Sequence, residues 1–303
     1  MRIHLRVPGS TSNLGPGFDC LGLAIDLRLE VDLATEGREI LIEIEGPEST
    51  GIPTGTDNLV YASLCRVFRR AGKTPPAGLQ LLIRNDIPLG RGLGSSGAAI
   101  VAGVLAGSLL LGEAELDLAA VLRQATEIEG HPDNVAPALL GGFVASAVDS
   151  DRVHTCRLAF PPDLTVLLVI PDVEVSTALA RAQLPPTVPL GDAVFNLQRL
   201  ALLLGSLAGT PADLRPALQD RLHQDVRLGL LPGLAEALRA LDGAPGCLGA
   251  CVSGSGPTLL GFFRGDPPEG AGVTALEALR RHQIQARDRT ARVDPRGADF
   301  QTA

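Results

Sequence analysis

Residues 92–112 carry no charged side chain. An uncharged stretch of that length belongs either inside a bilayer or inside a protein core. Its first residues favour the core. It opens on Gly92-Leu93-Gly94-Ser95-Ser96-Gly97, lies mid-chain and has no flanking aromatic residues. The expectation is therefore a buried helix of a folded domain, running to about Leu111. A membrane span over 92–112 remains the rival reading, and it would require detergent for extraction.

The turn that opens this helix is chemically informative. Glycines let the backbone approach a ligand closely, and free N–H groups at a helix N-terminus favour an anion. Residues 88–98, Pro-Leu-Gly-Arg-Gly-Leu-Gly-Ser-Ser-Gly-Ala, thus read as a loop suited to phosphate, with Ser95 and Ser96 as added hydroxyl donors. Taken alone, a tight turn before a buried helix explains it nearly as well. The run 92–97 also matches G-x-G-x-x-G. A dinucleotide fingerprint should, however, follow the first strand of a βαβ unit and lead to an acidic residue at the next strand end. Here the acidic residues downstream are Glu113, Glu115 and Asp117, in a helix–helix connection, so dinucleotide binding is rejected. A Walker A pattern is absent, and the only lysine is the distant Lys73.

Other patterns place this loop in a larger chain. With 303 residues the sequence suits two medium domains. Residues 2–7 read as a strand ended by Pro8-Gly9. Residues 22–34 alternate apolar and charged side chains, the period of a half-buried antiparallel strand, and 39–45 read as its partner. Thr56 or Asp57 is placed to cap a helix to about Arg70, followed by a strand over 79–87. A helix over 117–129 is broken at His131-Pro132-Asp133-Asn134, with Asp133 placed to cap a short helix over 134–140. A strand over 143–148 follows. The apolar run 164–170 starts a second unit, with helices near 176–183, 190–207, 211–226 and 233–241. Strands over 247–252 and 258–263, a helix over 268–281 and a strand near 289–293 complete it. The boundary is expected near 150–163, at the Asp149-Ser150-Asp151 turn or the Pro161-Pro162 pair, and the whole reads as α+β.

Composition removes several functional classes. A net charge of −8 without basic clusters argues against nucleic acid as a partner. Cys20, Cys65, Cys156, Cys247 and Cys251 lack metal or redox spacing and read as buried, reduced thiols. The first residues alternate as a strand rather than as a cleavable apolar segment, so a cytoplasmic location is expected.

Two further runs turn the loop into a set of three. Residues 7–22 read Val-Pro-Gly-Ser-Thr-Ser-Asn-Leu-Gly-Pro-Gly-Phe-Asp-Cys-Leu-Gly, and 249–258 read Gly-Ala-Cys-Val-Ser-Gly-Ser-Gly-Pro-Thr. Together with 88–98 they resemble the GHMP kinase superfamily along nearly the whole chain. The first run, His131 to Pro137, Val175 to Arg181 and Val226 to Gly233 resemble the homoserine kinases within it. The resemblance implies a two-domain GHMP kinase fold. Its ATP-binding, ribosomal-protein-S5-like N-terminal domain would span 1–158, and its ferredoxin-like C-terminal domain 159–303. It implies transfer of the ATP γ-phosphoryl group to the side-chain hydroxyl of L-homoserine, with Mg2+, in threonine synthesis.

Roles follow residue by residue from the same likeness. Pro88, Leu89, Gly90, Arg91, Gly92, Leu93, Gly94, Ser95, Ser96, Gly97 and Ala98 would surround the nucleotide phosphates, and Asn58 would lie by the adenine. Arg181 and Arg227 match the arginines that take a substrate carboxylate, a task suited to a planar guanidinium. Asn13, Asp19, His131, Asn134, Thr177 and Gly254 match other substrate contacts, with Asp19, Asn134 and Arg181 closest to the chemistry. Asp19, after Gly15-Pro16-Gly17, could equally hold a turn. Magnesium would meet Ser96 and an acidic partner, where Glu127 and Glu129 both qualify and Glu129 is preferred. Asparagine stands at the position of a catalytic base, so the reading is transfer without a strong general base. The alternatives kept are a sister kinase acting on mevalonate or another polyol, and an ATP-binding regulator without catalysis. The sequence leaves the oligomeric state open, a homodimer included.

Overall fold

The computed structural model describes residues 1–112, 116–150 and 152–303; Glu113 and Glu115 of the helix connection and Asp151 of the boundary turn lie outside the described residues. The alternating run after the first motif is the spine of one sheet. It forms β2 (Gly17–Ala34), between β1 (Arg2–Asn13) and β4 (Leu79–Asn85), and β3 (Ile40–Glu45) adds beyond β4 in parallel. Leu23, Ile25, Leu27, Leu29, Val31 and Leu33 point into the core, while Asp26 faces out, as period two requires. The lower end of β2 also pairs β5 (Phe143–Val148), which carries β6 (Val153–Leu158).

Four helices cover this sheet: α1 (Leu59–Arg70), α2 (Ser95–Leu110), α3 (Leu118–Glu129) and α4 (Pro132–Leu140). The uncharged segment is α2, buried on nearly all sides among the other three helices and β1. Its glycines allow this, since a methyl group at Gly103 would overlap the Val60 carbonyl and one at Gly107 would press on Val67. No described helix is long and apolar enough to cross a membrane.

The second half forms a four-stranded antiparallel sheet in the order β10 (Ala286–Ala291), β7 (Leu164–Pro171), β9 (Leu259–Arg264), β8 (Cys247–Val252). On one face lie α8 (Leu234–Asp242) and α9 (Val273–Arg281), through Leu234, Leu241, Ala275 and Leu279. The other face, including Val166, Leu168 and Phe262, joins the core of the first sheet. The α+β reading holds. We propose a division after residue 158, which follows the sheets until β11 (Asp299–Thr302) returns to pair with β1.

Several local expectations are corrected. Strand β1 does not end at Pro8-Gly9 but bulges there and continues to Asn13, because its pairing with β2 shifts register at that point and then resumes. Helix α1 is capped by Asn58, whose side chain accepts from the Val60 and Tyr61 amides, rather than by Thr56 or Asp57. Helix α4 begins at Pro132, and Asp133 bonds the His131 ring instead of capping. The helix expected over 211–226 is mostly turns, in keeping with Pro211 and Pro216, and only α7 (Gln224–Leu228) is helical. Strands β6 and β11 were not expected. They lie in polar sequence, half-buried or exposed, at sheet edges. The five cysteines are free, but Cys156 is exposed on β6 rather than buried.

The returning tail is held by Asp294. Its carboxylate is almost fully buried, pairs with Arg28 of β2 at 2.7 Å, and accepts from the Arg296 and Gly297 amides. Its backbone bonds Ala24 and Gly142. Removing one partner of such a pair leaves a desolvated charge and open donors. Asp294→Ala should lower the unfolding free energy by on the order of 3 kcal/mol, read as a shifted urea midpoint by circular dichroism. A shift below about 0.5 kcal/mol, the range of ordinary surface substitutions, would mean that the tail is not tied through this residue.

Candidate active site

One cleft of about 310 Å³ gathers Asn13, Asp19, Asn58, the loop Pro88–Ser96, Glu129, His131, Asn134, Thr177, Arg181, Arg227 and Gly254. Of the residues expected at a site, Gly97 and Ala98 do not line it. Ala98 is fully buried and its amide already bonds Gly94 O, the first bond of α2.

Three glycine-rich runs build the cleft by locking together. Ser253 Oγ donates to Gly92 O at 2.7 Å and lies 2.8 Å from Thr11 Oγ1. The Gly254 amide donates to Ser12 O, and the Ser10 amide to Leu93 O. Gly90, Gly92 and Gly94 alternate into the left-handed region, which aims successive N–H groups into the cleft. A methyl group at Gly94 would overlap Ser10. Beyond Gly94 the first amides of α2 lack intrahelical partners, so loop and helix end together suit an anion. The far end is apolar, walled by Ile52, Pro53, Leu59, Ile83 and Leu89. Asn58 borders that end, but its amide is engaged as the α1 cap and by Pro53 O.

The Ser96 hydroxyl donates to Glu129 at 2.6 Å. Burial pushes the Glu129 carboxyl above its usual range, against the lowering effect of that hydrogen bond. Glu127 instead points to α1 and pairs with Arg70. Of the two glutamates, only Glu129 faces the cleft.

The opposite wall is ionic. Asp19 sits at a positive φ of 55°, with Asn13 and Leu14 also left-handed just before it. Such backbone costs roughly 1–3 kcal/mol per residue, and burial of Leu14 together with the engaged Asn13 amide holds it. Asn13 donates to Gly254 O and accepts from the Asp19 amide, so it acts as a strut beside the cleft. The Asp19 carboxylate takes a two-pronged bond from Arg181, at 2.8 and 2.6 Å. The rival turn-capping role for Asp19 is not what its carboxylate does, since both oxygens are taken by Arg181. Arg227, only 3% exposed, has no carboxylate in contact among the described residues. Its Nη1 donates to Gly254 O, and burial draws its pKa down to about 10, so it stays a cation at neutral pH. Asn134 is fixed by Ser10 and Ser12, and Thr177 lies 3.2 Å from the Ser255 hydroxyl. Arg91 reaches back to Leu89 O and Pro171 O, tying the loop to β7.

The architecture is matched by known proteins. The sequence profile for the N-terminal domain of GHMP kinases matches residues 58–142, and that for their C-terminal domain matches 190–285. A homoserine kinase from Moorella thermoacetica is 46% identical, over 88% of this chain and 88% of the relative. Another from Trichormus variabilis is 41% identical over 98% of each. The chain belongs to the homoserine kinase family of GHMP kinases. A crystal structure of homoserine kinase from Cytophaga hutchinsonii superposes with a TM-score of 0.80 at 29% identity, covering 99% of this chain and 97% of that one. Mevalonate kinase from Methanococcus jannaschii shares the fold alone, with a TM-score of 0.67 at 14% identity, over 96% of this chain and 98% of that one.

Family motifs did not single out three side chains that shape this GHMP kinase cleft. Ser12 bonds the Asn134 amide from β1. Phe18 lies in the first motif, and His223 stacks on its ring at 5.2 Å. A readable signal did exist for His223, because it stands four residues before Arg227, one helical turn away.

His131 and His223 should titrate in opposite directions. Burial alone would lower the His131 pKa, but its 2.6 Å bond to Asp133 and the charges of Asp133, Glu129 and Asp19 outweigh it, so the net shift is up. Folding then favours its proton. The resulting stability is present at low pH and is lost as pH rises through the raised folded value. His223 is lowered, chiefly by burial, so its contribution is present above the ordinary value and lost as pH falls. NMR titration of the five imidazoles should place His131 above 6.5 and His223 below it, with Asp133→Asn abolishing the rise at His131. The reverse order would show the His131–Asp133 pair to be wrongly drawn.

Proposed function

We propose that the chain transfers the γ-phosphoryl group of ATP to the side-chain hydroxyl of L-homoserine, forming O-phospho-L-homoserine and ADP, a step of threonine synthesis in the cytoplasm. One observation carries this reading. A buried arginine that no carboxylate touches among the described residues, Arg227, shares a cleft with the Asp19–Arg181 pair and with the start of α2, whose free amides suit an anion. An amino acid brings one carboxylate and one ammonium. Arg227 and Arg181 offer charge for the first, Asp19 for the second, and His131 and Asn134 border the space between them and Ser96. The apolar end suits a purine, with the loop amides on the phosphates.

Magnesium fits the oxygen donors of Ser96 and Glu129, a hydroxyl beside a partly buried carboxylate with no ion pair among the described residues. When bound it would neutralise charge on the β- and γ-phosphates. Among the described residues Asp19, His131 and Asp133 also cluster, but Arg181 and the His131–Asp133 bond occupy those atoms. A homodimer is left as an alternative to a monomer.

Transfer needs the acceptor oxygen held in line with the γ-phosphorus and the phosphate charge neutralised. The oxygen–phosphorus bond to the acceptor forms as the β–γ bridge breaks. With little bond formation early, the hydroxyl proton leaves late, to an oxygen of the transferred phosphoryl group or to water, and no strong base is required. Asn134, fixed by two serines, orients without accepting a proton. Asp19 is engaged by Arg181, which suits a binding role better than proton abstraction.

ADP release by the purified protein tests the reaction, with ATP and homoserine, mevalonate, galactose or shikimate, and with or without excess chelator. Turnover is expected with homoserine alone and only when magnesium is free. Turnover with mevalonate alone would move the chain to a sister activity. Tight ATP binding without any turnover would make it a regulator, and full activity in chelator would remove the metal.

Asp19→Asn separates binding from base catalysis. The homoserine KM should rise about tenfold or more, the loss of one charged hydrogen bond, while kcat at saturation stays within about tenfold. A loss of kcat as complete as that of Ser96→Ala, at unchanged KM, would instead make Asp19 the base.

A further inference from the structure

The cleft holds two guanidinium groups in unlike states. Arg181 is neutralised by Asp19 in direct contact, whereas among the described residues no carboxylate touches the buried Arg227, on which Asp133, Asp19 and Asp220 act only from a distance, and its Nε has no partner there. Something other than an acid must therefore fix Arg227. Both guanidinium carbons stand 5.3 Å from the centroid of the Phe18 ring, and His223 stacks on that ring with its plane within 23°. His223 is itself buried, at 1% exposure. Its Nε2 lies 2.7 Å from Gly15 O, an atom that only accepts, so the Nε2 nitrogen carries the hydrogen. That leaves Nδ1 as a lone pair, 3.0 Å from Arg227 Nη1, which only donates. The turn beneath is rigid as well. Asp220 accepts the amides of Leu222, His223 and Gln224 and is held in turn by Asn196.

From this geometry we infer that His223 is a positioning residue for the carboxylate of the substrate, holding the Arg227 fork through a neutral ring nitrogen and thereby leaving its positive charge uncancelled for the incoming anion. The inference rests on the homoserine reading above. A carboxylate at this position would orient Arg227 equally well but would cancel the charge that the substrate needs. A neutral acceptor orients it without competing. The Gly15 bond ties this setting to the first motif, so the backbone run that carries Asp19 and the arginine opposite it move as one body.

The test compares L-homoserine with L-homoserinamide, which keeps the ammonium and hydroxyl but lacks the negative charge, in the full-length protein with magnesium and ATP. In the wild type, kcat/KM should favour homoserine by about tenfold or more, the range for a charged hydrogen bond. His223→Leu fills the space without an acceptor. It should raise the homoserine KM about tenfold while leaving the KM for the amide and for ATP within about twofold, so that discrimination collapses. His223→Asn, which returns an acceptor near the Nδ1 position, should restore most of the preference. Equal losses for both substrates, or no loss for either, would overturn the inference, as would failure of His223→Asn to recover any discrimination when it folds as the wild type does. If the wild type phosphorylates neither substrate, the proposed function itself fails, which is a different outcome. Circular dichroism and ATP affinity of each variant identify one that has merely failed to fold.

Discussion

The Ser253 hydroxyl is the contact on which the rest of the site depends. It joins the first motif at Thr11, the second at Gly92 and its own in the third, with Ser253 and Thr11 fully buried and Gly92 half-buried. Each of the three runs is glycine-rich and would wander alone, because glycine loses the most backbone entropy on ordering. Locked together, each removes the others' freedom. The adjacent main-chain bonds, Gly254 to Ser12 and Ser10 to Leu93, add no side-chain chemistry but fix the same register. Amides aimed at a phosphate are useful only if they stay aimed, and this interlock is what keeps them so.

Much of this was legible in the sequence, and the reasons differ by region. The uncharged run 92–112 could only be a buried helix or a membrane span, and its polar, glycine-rich opening excluded the second. Alternation over 22–34 is a strong signal because only a pleated strand has period two. Pattern failed where tertiary contacts decide the conformation. Pro8-Gly9 reads as a stop, yet a bulge carries β1 through it because β2 continues alongside. Strands β6 and β11 have no apolar period to detect, since both lie in polar sequence near the rim of the sheet. Residues 211–223 are apolar enough for a helix, but Pro211 and Pro216 break it.

Site residues divide in the same way. Arginines, serines and the 131–134 run were named through the family resemblance, and the fold brings them to one cleft. Their states did not follow from identity. Arg181 and Arg227 read alike in sequence, and only the fold makes one an ion pair with Asp19 and the other a buried cation that no described carboxylate touches. Likewise Glu127 and Glu129 lie two positions apart on α3, so they point in different directions, one to Arg70 and one to Ser96. Asn13 and Asn58 line the cleft as expected, but their amides already bond neighbouring loops. Sequence names the groups; it does not say which hydrogen bonds the folded chain has already used.

The asymmetry between the two arginines suits a site for a zwitterion. Two free guanidinium groups close together would repel, and the presence of Arg181 indeed helps lower the pKa of Arg227. Two neutralised ones would offer a carboxylate nothing. Pairing Arg181 with Asp19 leaves a dipole whose negative end can meet an ammonium, and under the proposed function Arg227 would keep its charge for the carboxylate. The desolvation of Arg227 is offset during folding by neutral acceptors, Gly254 O and the His223 ring, which orient the fork without removing its charge. On this argument the selectivity of the cleft lies less in the number of charges it contains than in which one the fold leaves unpaired.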